Sequence, residues 1–103
     1  MTTPNLEYFI KIIEADDINV FNAFPNSELS IDVNRSITEQ GSTSLMVACY
    51  HGSLYIATHL IDVLKADVNL SNNNGANALI FACNSGIIKY YLSTYKFLLN
   101  CYH

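Results

Sequence analysis

The sequence predicts an all-α fold: a single domain over residues 1–103, built as a solenoid of stacked helix–turn–helix repeats joined by β-turn fingers. Three observations predict it. First, "GSTSLMVACYHG" (41–52) falls on "GANALIFACNSG" (75–86) at a shift of 34, with Gly41 on Gly75, Leu45 on Leu79, Ala48 on Ala82, Cys49 on Cys83 and Gly52 on Gly86. Second, "DVN" occurs twice, at 32–34 and 67–69, and each copy runs through polar residues to a glycine. Third, the stretches between these marks carry apolar residues at helical rather than strand spacing. Units of this length bury their apolar faces only by stacking on one another. The repeat boundaries fall near 4–40, 41–74 and 75–103.

The elements follow in order. Leu6, Phe9, Ile10 and Ile13 form an i, i+3, i+4, i+7 stripe, so the chain opens on an amphipathic helix. "ADD" makes the inter-helix turn, with Asp16 and Asp17 as turn and cap residues, and "INVFNAF" starts a second helix that Pro25 stops. Asp32-Val33-Asn34 closes the first repeat, because Asp and Asn bond nearby backbone amides and favour turns. Thr43 and Asn77 each stand just ahead of a short apolar stretch, where a side-chain oxygen caps a helix. Leu45 and Ala48, like Leu79 and Ala82, share a face at i and i+3. Gly52 and Gly86 end these first helices in a left-handed turn. Ile56, Leu60 and Leu64 then predict an amphipathic second helix, and "NNN" at 72–74 reads as a solvated turn tip. The two DVN copies are 35 apart whereas the glycines are 34 apart, so one finger holds an extra residue.

This unit resembles the ankyrin repeat, whose run is G-x-T-P-L-H-x-A-A-x-x-G, a second helix, then G-A-D-V-N. Gly41, Thr43, Leu45, Ala48, Gly52, Leu60, Ala66, Asp67, Val68 and Asn69 match it in the central copy, and Gly75, Leu79, Ala82 and Gly86 in the next. The resemblance covers nearly the whole chain. It departs where the family has T-P-L-H: here stand Thr43-Ser44-Leu45-Met46 and Asn77-Ala78-Leu79-Ile80. The missing proline removes pre-organisation at the first helical position. By the resemblance, the missing histidine removes the hydrogen bonds that tie neighbouring turns, which implies a less stable array.

The third repeat never reaches a DVN. Ile88, Leu92, Tyr95, Leu99 and Tyr102 recur at spacings of four and three, which predicts one long helix, apolar most of the way round. Either its tyrosines serve as an amphipathic cap, or residues 87–102 are an interface for a homo-oligomer or a longer array.

Composition excludes several classes. Half of the residues are apolar (50%), 14% are charged, and the net charge is −4. Five scattered Lys and Arg make no basic stripe, so nucleic acid is not the expected partner. The N-terminus lacks the basic region and cleavage site of a signal peptide. "GIIKYYLSTYKFLLNCYH" is too short for a bilayer span and carries Lys89 and Lys96, so no membrane partner is expected. Three cysteines, an odd number without a secretory signal, point to reduced thiols in an intracellular setting, cytoplasmic or nuclear.

Cysteine and histidine spacing speaks against chemistry. Cys49 and His51 are two apart on a helix and face different ways. Cys49 and Cys83 hold one position in successive repeats and read as small buried hydrophobes. Equivalent positions of stacked helices lie too far apart for a shared metal or a disulfide. No enzyme, metal or cofactor is expected, and a protein partner is. The resemblance implies that this partner sits on the concave face made by turn tips and first helices. Carried over by position, the contacts are Arg35, Ser36, Glu39, Gln40 and Ser42, then Ser71, Asn73, Asn74 and Ala76, with Tyr50, His51, Asn84 and Ser85 on the helices. Tyr50 is the expected anchor, because interfaces favour a large side chain with a polar tip. The module would act as adaptor, scaffold or stoichiometric inhibitor. The alternative is a self-associating piece of a longer array that pairs through 87–102.

Overall fold

The structure, a computed structural model, describes residues 4–23 and 32–85. They form five helices in chain order: α1 (Pro4–Glu14), α2 (Ile18–Ala23), α3 (Ser44–His51), α4 (Leu54–Asp62) and α5 (Ala78–Ser85). α1 with α2 and α3 with α4 are antiparallel pairs of the expected repeats, and α5 opens the third. The predicted helix over 87–102 lies outside the described residues. Among the described residues the extended pairing is confined to two isolated antiparallel bridges, Ser36–Thr43 and Ser71–Asn77. These are the bases of two fingers.

The fingers explain the uneven spacing. In the first, the Ile37 amide donates to Ser42 O and the Gly41 amide closes a turn on Thr38 O (2.7 and 3.0 Å). In the second, Asn72 donates to Ala76 O and Gly75 to Asn72 O (2.8 and 3.0 Å). Ile37 and Asn72 are 35 apart, Ser42 and Ala76 are 34 apart, so the extra residue sits in the first finger.

DVN acquires a physical reading. Each Asp carboxylate accepts the amide two residues on, Asn34 to Asp32 Oδ1 (3.0 Å) and Asn69 to Asp67 Oδ1 (2.9 Å), which sets the turn. The Asp67 amide then donates to Asn34 Oδ1 at 2.8 Å, so the first copy's asparagine holds the second copy's aspartate.

α3 lies at the centre. Thr43 caps it in a reciprocal box: Met46 N donates to Thr43 Oγ1, and Thr43 N to Met46 Sδ, both at 3.4 Å. Ser44 through Cys49 are all buried, because α1, α4 and α5 pack around the helix. These first six residues leave no solvent stripe, which is why none of them is charged. Gly52 ends it at φ 70°, its amide and that of Ser53 returning to the last turn. α4 buries Ile56, Ala57, Leu60 and Ile61. It stops at Asp62, so Leu64, expected on the helix, is half-buried just past its end.

α1 buries Phe9, Ile12 and Ile13. It ends as α3 does, with Asp17 N bonding Ile12 O and Asp16 N bonding Ile13 O. The left-handed position is here an aspartate, Asp16, at φ 54°. Asp17 Oδ1 caps α2 through Val20 N (3.1 Å), and Phe21 packs on Phe9 and His59 at ring distances of 5.5 and 5.9 Å.

The turn between α1 and α2 also grips the next repeat. Asp16 accepts the Tyr55 and Ile56 amides at the start of α4 (3.1 and 2.9 Å). In return the buried Ser53 hydroxyl, which makes no cap bond of its own, donates to Ile13 O at the end of α1. Each helix terminus thus satisfies groups its neighbour leaves open. Sequence reasoning took Asp16 for a local turn residue and missed this second duty.

One further expectation needs correction. Cys83 is exposed, although its repeat-mate Cys49 is completely buried. α4 packs on α3, and the sequence that would follow α5 in the same way lies outside the described residues. Losing the family's histidine does not leave the fingers untied. Asn73 N donates to Gln40 O (2.8 Å), Asn73 Nδ2 to Glu39 O (3.3 Å) and Asn72 Nδ2 to Ser42 Oγ (3.1 Å). The "NNN" stretch is a tip, but two of its members reach back to the finger before.

Candidate functional site

Fingers and first helices together enclose a groove of about 390 Å³. Its floor is Ile10 from α1, Met46, Val47 and Tyr50 from α3, and Phe81 from α5. Thr38, Gln40 and Ser42 of the first finger and Asn72 and Asn74 of the second form one wall, and His51 stands at the helix end. Five of the residues expected from sequence therefore meet here: Gln40, Ser42, Tyr50, His51 and Asn74.

Their availability differs. Tyr50 is 63% exposed, with its ring edge-on to Phe81 (5.8 Å) and to His51 (4.9 Å). Two aromatic neighbours hold a side chain that would otherwise swing freely, so little rotamer entropy remains for a partner to remove. Ser42, expected as a contact, is instead buried and bonded from Asn72, because the second finger closes over it. Asn74 is exposed, and its amide is held by Asn72 Oδ1 (2.9 Å).

The other expected contacts lie outside the groove. Arg35 is half-buried and Ser36 exposed at the base of the first finger, where the Ser36 hydroxyl donates to Gly41 O (3.1 Å). Glu39 and Asn73 are exposed at the two tips and bonded to each other's finger. Ser71 is exposed in the second bridge, Ala76 is half-buried, Asn84 is exposed on α5, and Ser85 is the last residue of that helix. Sequence reasoning missed Ile10, Thr38, Met46, Val47, Asn72 and Phe81. The 34-residue shift held a usable signal, since it places Phe81 on Val47 and makes that position apolar in both copies.

Electrostatically the groove is bland. None of its lining residues is Asp, Glu, Lys or Arg. His51 pairs with Glu14 of α1 across 3.5 Å, a half-exposed contact that contributes little stability. Cys49 lies beneath, its thiol pushed up to about 12 by burial, so it is no nucleophile at neutral pH. No group of three or more His, Cys, Asp or Glu able to hold a metal occurs among the described residues. No described helix is long and apolar enough to cross a membrane. What the groove offers is an apolar, aromatic floor with amide-bearing walls, which suits side chains of another polypeptide.

Comparison with known proteins agrees with the architecture. A family model described as ankyrin repeats (3 copies) matches residues 9–103. Among solved structures, the chain is similar to one in the crystal structure of the yeast ribosomal protein Rps3 in complex with its chaperone Yar1. That match has 19% identity and a TM-score of 0.58, and covers 93% of this chain and 96% of the other. At such identity the likeness is one of fold.

Proposed function

This chain belongs to the ankyrin-repeat family, whose repeats are protein–protein interaction modules, and we propose that it works as an adaptor, scaffold or stoichiometric inhibitor that seats one protein partner in the groove between its fingers and first helices. The observation that carries the reading is Tyr50: a largely exposed aromatic, braced by Phe81 and His51, at the centre of an uncharged apolar floor. Anchors of this kind supply most of the binding energy in protein interfaces. The wall residues Gln40, Asn74 and Thr38 give the amide and hydroxyl groups that orient an incoming chain, while Arg35, Glu39 and Asn73 stand at the rim. The fold neighbour, solved in a chaperone complex with a ribosomal protein, supports a protein as ligand. No catalysis is assigned to the groove, and the free thiols fit a reducing intracellular compartment.

The test uses two tyrosines of matched exposure. Tyr50 is 63% exposed in the groove, and Tyr55 is 68% exposed on α4. A partner captured by the intact chain from native lysate should bind Tyr50→Ala at least about tenfold more weakly, the scale of a hot-spot loss, and Tyr55→Ala with unchanged affinity. The reverse pattern would place the partner on the opposite side.

A further inference from the structure

The three asparagines at 72–74 have the same side chain and different partners. Asn72 Oδ1 accepts the Asn74 and Ala76 amides (2.9 and 3.0 Å), and Asn72 Nδ2 donates to Ser42 Oγ (3.1 Å). Asn73 Nδ2 donates to Glu39 O at 3.3 Å. Asn74 is exposed, and its side-chain amide bonds to none of the described residues. It is also the only asparagine of the chain that a glycine follows.

That pairing is reactive. The carboxamide carbon of an asparagine is an electrophile, and the next residue's backbone nitrogen is a tethered nucleophile that closes a five-membered imide on it. A side chain on that next residue crowds the approach. Gly75 has none, and nothing lies within 4 Å of where its Cβ would stand. The first finger supplies a comparison: at the shift of 34, Gln40 and Gly41 occupy the same places, with the glycine at the same φ of 79°. A glutamine must close a six-membered ring, which forms far more slowly, and Asn73 Oδ1 lies against Gly41.

We propose that Asn74 is a self-modification site, at which the Gly75 nitrogen converts the side-chain amide to a carboxylate with water as the only co-reactant. The Gly75 N–H gives its proton to solvent base, and the nitrogen bonds to Asn74 Cγ. Asn74 Nδ2 takes up a proton and departs as ammonia, which leaves a succinimide. Water then opens one of the ring's two C–N bonds. Cleavage at Cγ yields aspartate; cleavage at the backbone carbonyl carbon yields isoaspartate, whose main chain runs through Cγ. Nothing is oxidised or reduced.

The finger sets the rate. In the closed turn the Gly75 amide donates to Asn72 O (3.0 Å), which withholds it from attack. Reaction therefore proceeds when the tip opens locally, and the bonds of Asn73 to Glu39 and Gln40 oppose that opening. The product places a negative charge in a groove whose lining has none. The chemistry is independent of the groove's proposed partner; only the effect of the new charge on that partner rests on it.

Peptide mapping by mass spectrometry of the full chain, kept folded in mildly alkaline buffer, tests this. The expected result is conversion at Asn74 ahead of Asn72, Asn73 and Gln40, with isoaspartate among the products. Asn73→Ala should speed the conversion about fivefold, the effect of one hydrogen bond on the open population, while the helical circular dichroism stays unchanged. An Asn74 that converts no faster than Asn72 and Asn73 overturns the proposal. So does aspartate formed without isoaspartate, which would mean direct hydrolysis of the amide by water. A rate indifferent to Asn73→Ala overturns control by the finger.

Discussion

Asp16 is the residue whose replacement reports most directly on how the repeats hold together. Its carboxylate accepts two amides of α4, one exposed (Tyr55) and one partly buried (Ile56), and it does so from a left-handed backbone at φ 54°. Removing the carboxylate leaves the start of α4 without an acceptor, since the Ser53 side chain at its cap position is committed to Ile13 O. Loss of a capping acceptor costs about 0.5–2 kcal/mol. The negative charge at a helix N-terminus adds about 0.3–1 kcal/mol. Aspartate and alanine both hold the left-handed conformation at a cost of up to about 1–2 kcal/mol, whereas glycine holds it freely. Asp16→Ala, which keeps that conformation, therefore isolates the lost cap and charge and should destabilise by about 1–3 kcal/mol. Asp16→Ala should cost about 1 kcal/mol more than glycine, and Asp16→Asn, with one oxygen and no charge, should cost least. For a domain of this size 1 kcal/mol moves Tm by about 4–8 °C, so thermal and urea melts followed by circular dichroism resolve the three. Two outcomes refute the reasoning. If Asp16→Ala is as stable as the parent, the bonds to α4 contribute nothing. If glycine and alanine are equivalent, the left-handed strain is absent.

Two further predictions concern single atoms. Gly41 and Gly75 share φ 79°, but a Cβ on Gly41 would stand 2.6 Å from Asn73 Oδ1, while one on Gly75 meets nothing within 4 Å. Gly75→Ala should cost only the left-handed strain, about 1–2 kcal/mol, and Gly41→Ala more, because it also displaces Asn73 from Glu39; equal Tm losses would contradict this. In a Cys101→Ser background, a thiol reagent at pH 8 should label Cys83 in the native protein and Cys49 only after unfolding. The Cys49 thiol lies above its ordinary 9.0, at about 12, through desolvation, so burial favours its neutral form. Its contribution is complete below about 9 and is lost as pH rises toward 12. Urea melts above pH 9 should show the parent losing stability more steeply than Cys49→Ala.

What the sequence made legible is what each repeat does for itself. Thr43 caps its own helix, Gly52 closes its own turn, and Asp32 and Asp67 each fold their own DVN, so identical or equivalent letters recur at a shift of 34 or 35. That periodicity sufficed for the described helices, for the fingers and for an extra residue in one of them, while the hydrogen bonds showed that it is the first. The bonds between repeats leave no such mark. Asp16 serves α4, Ser53 serves α1, Asn34 serves Asp67 and Asn73 serves Glu39. Each joins residues of different kinds at separations between 33 and 40, and nothing in either partner's own neighbourhood calls for the other. The groove divides the same way: the exposure of Tyr50 follows from its place on its own helix, whereas the burial of Ser42 depends on a finger 30 residues away that bonds it. Cys49 and Cys83 make the point sharpest. They are the same residue at the same position of the same motif, one wholly buried and one exposed, so burial in a stacked array is decided by the next unit along. By that reasoning Ile80 and Met46 differ in what lies against them: Met46 has the second finger and α5 beside it, and Ile80 has no such neighbour among the described residues.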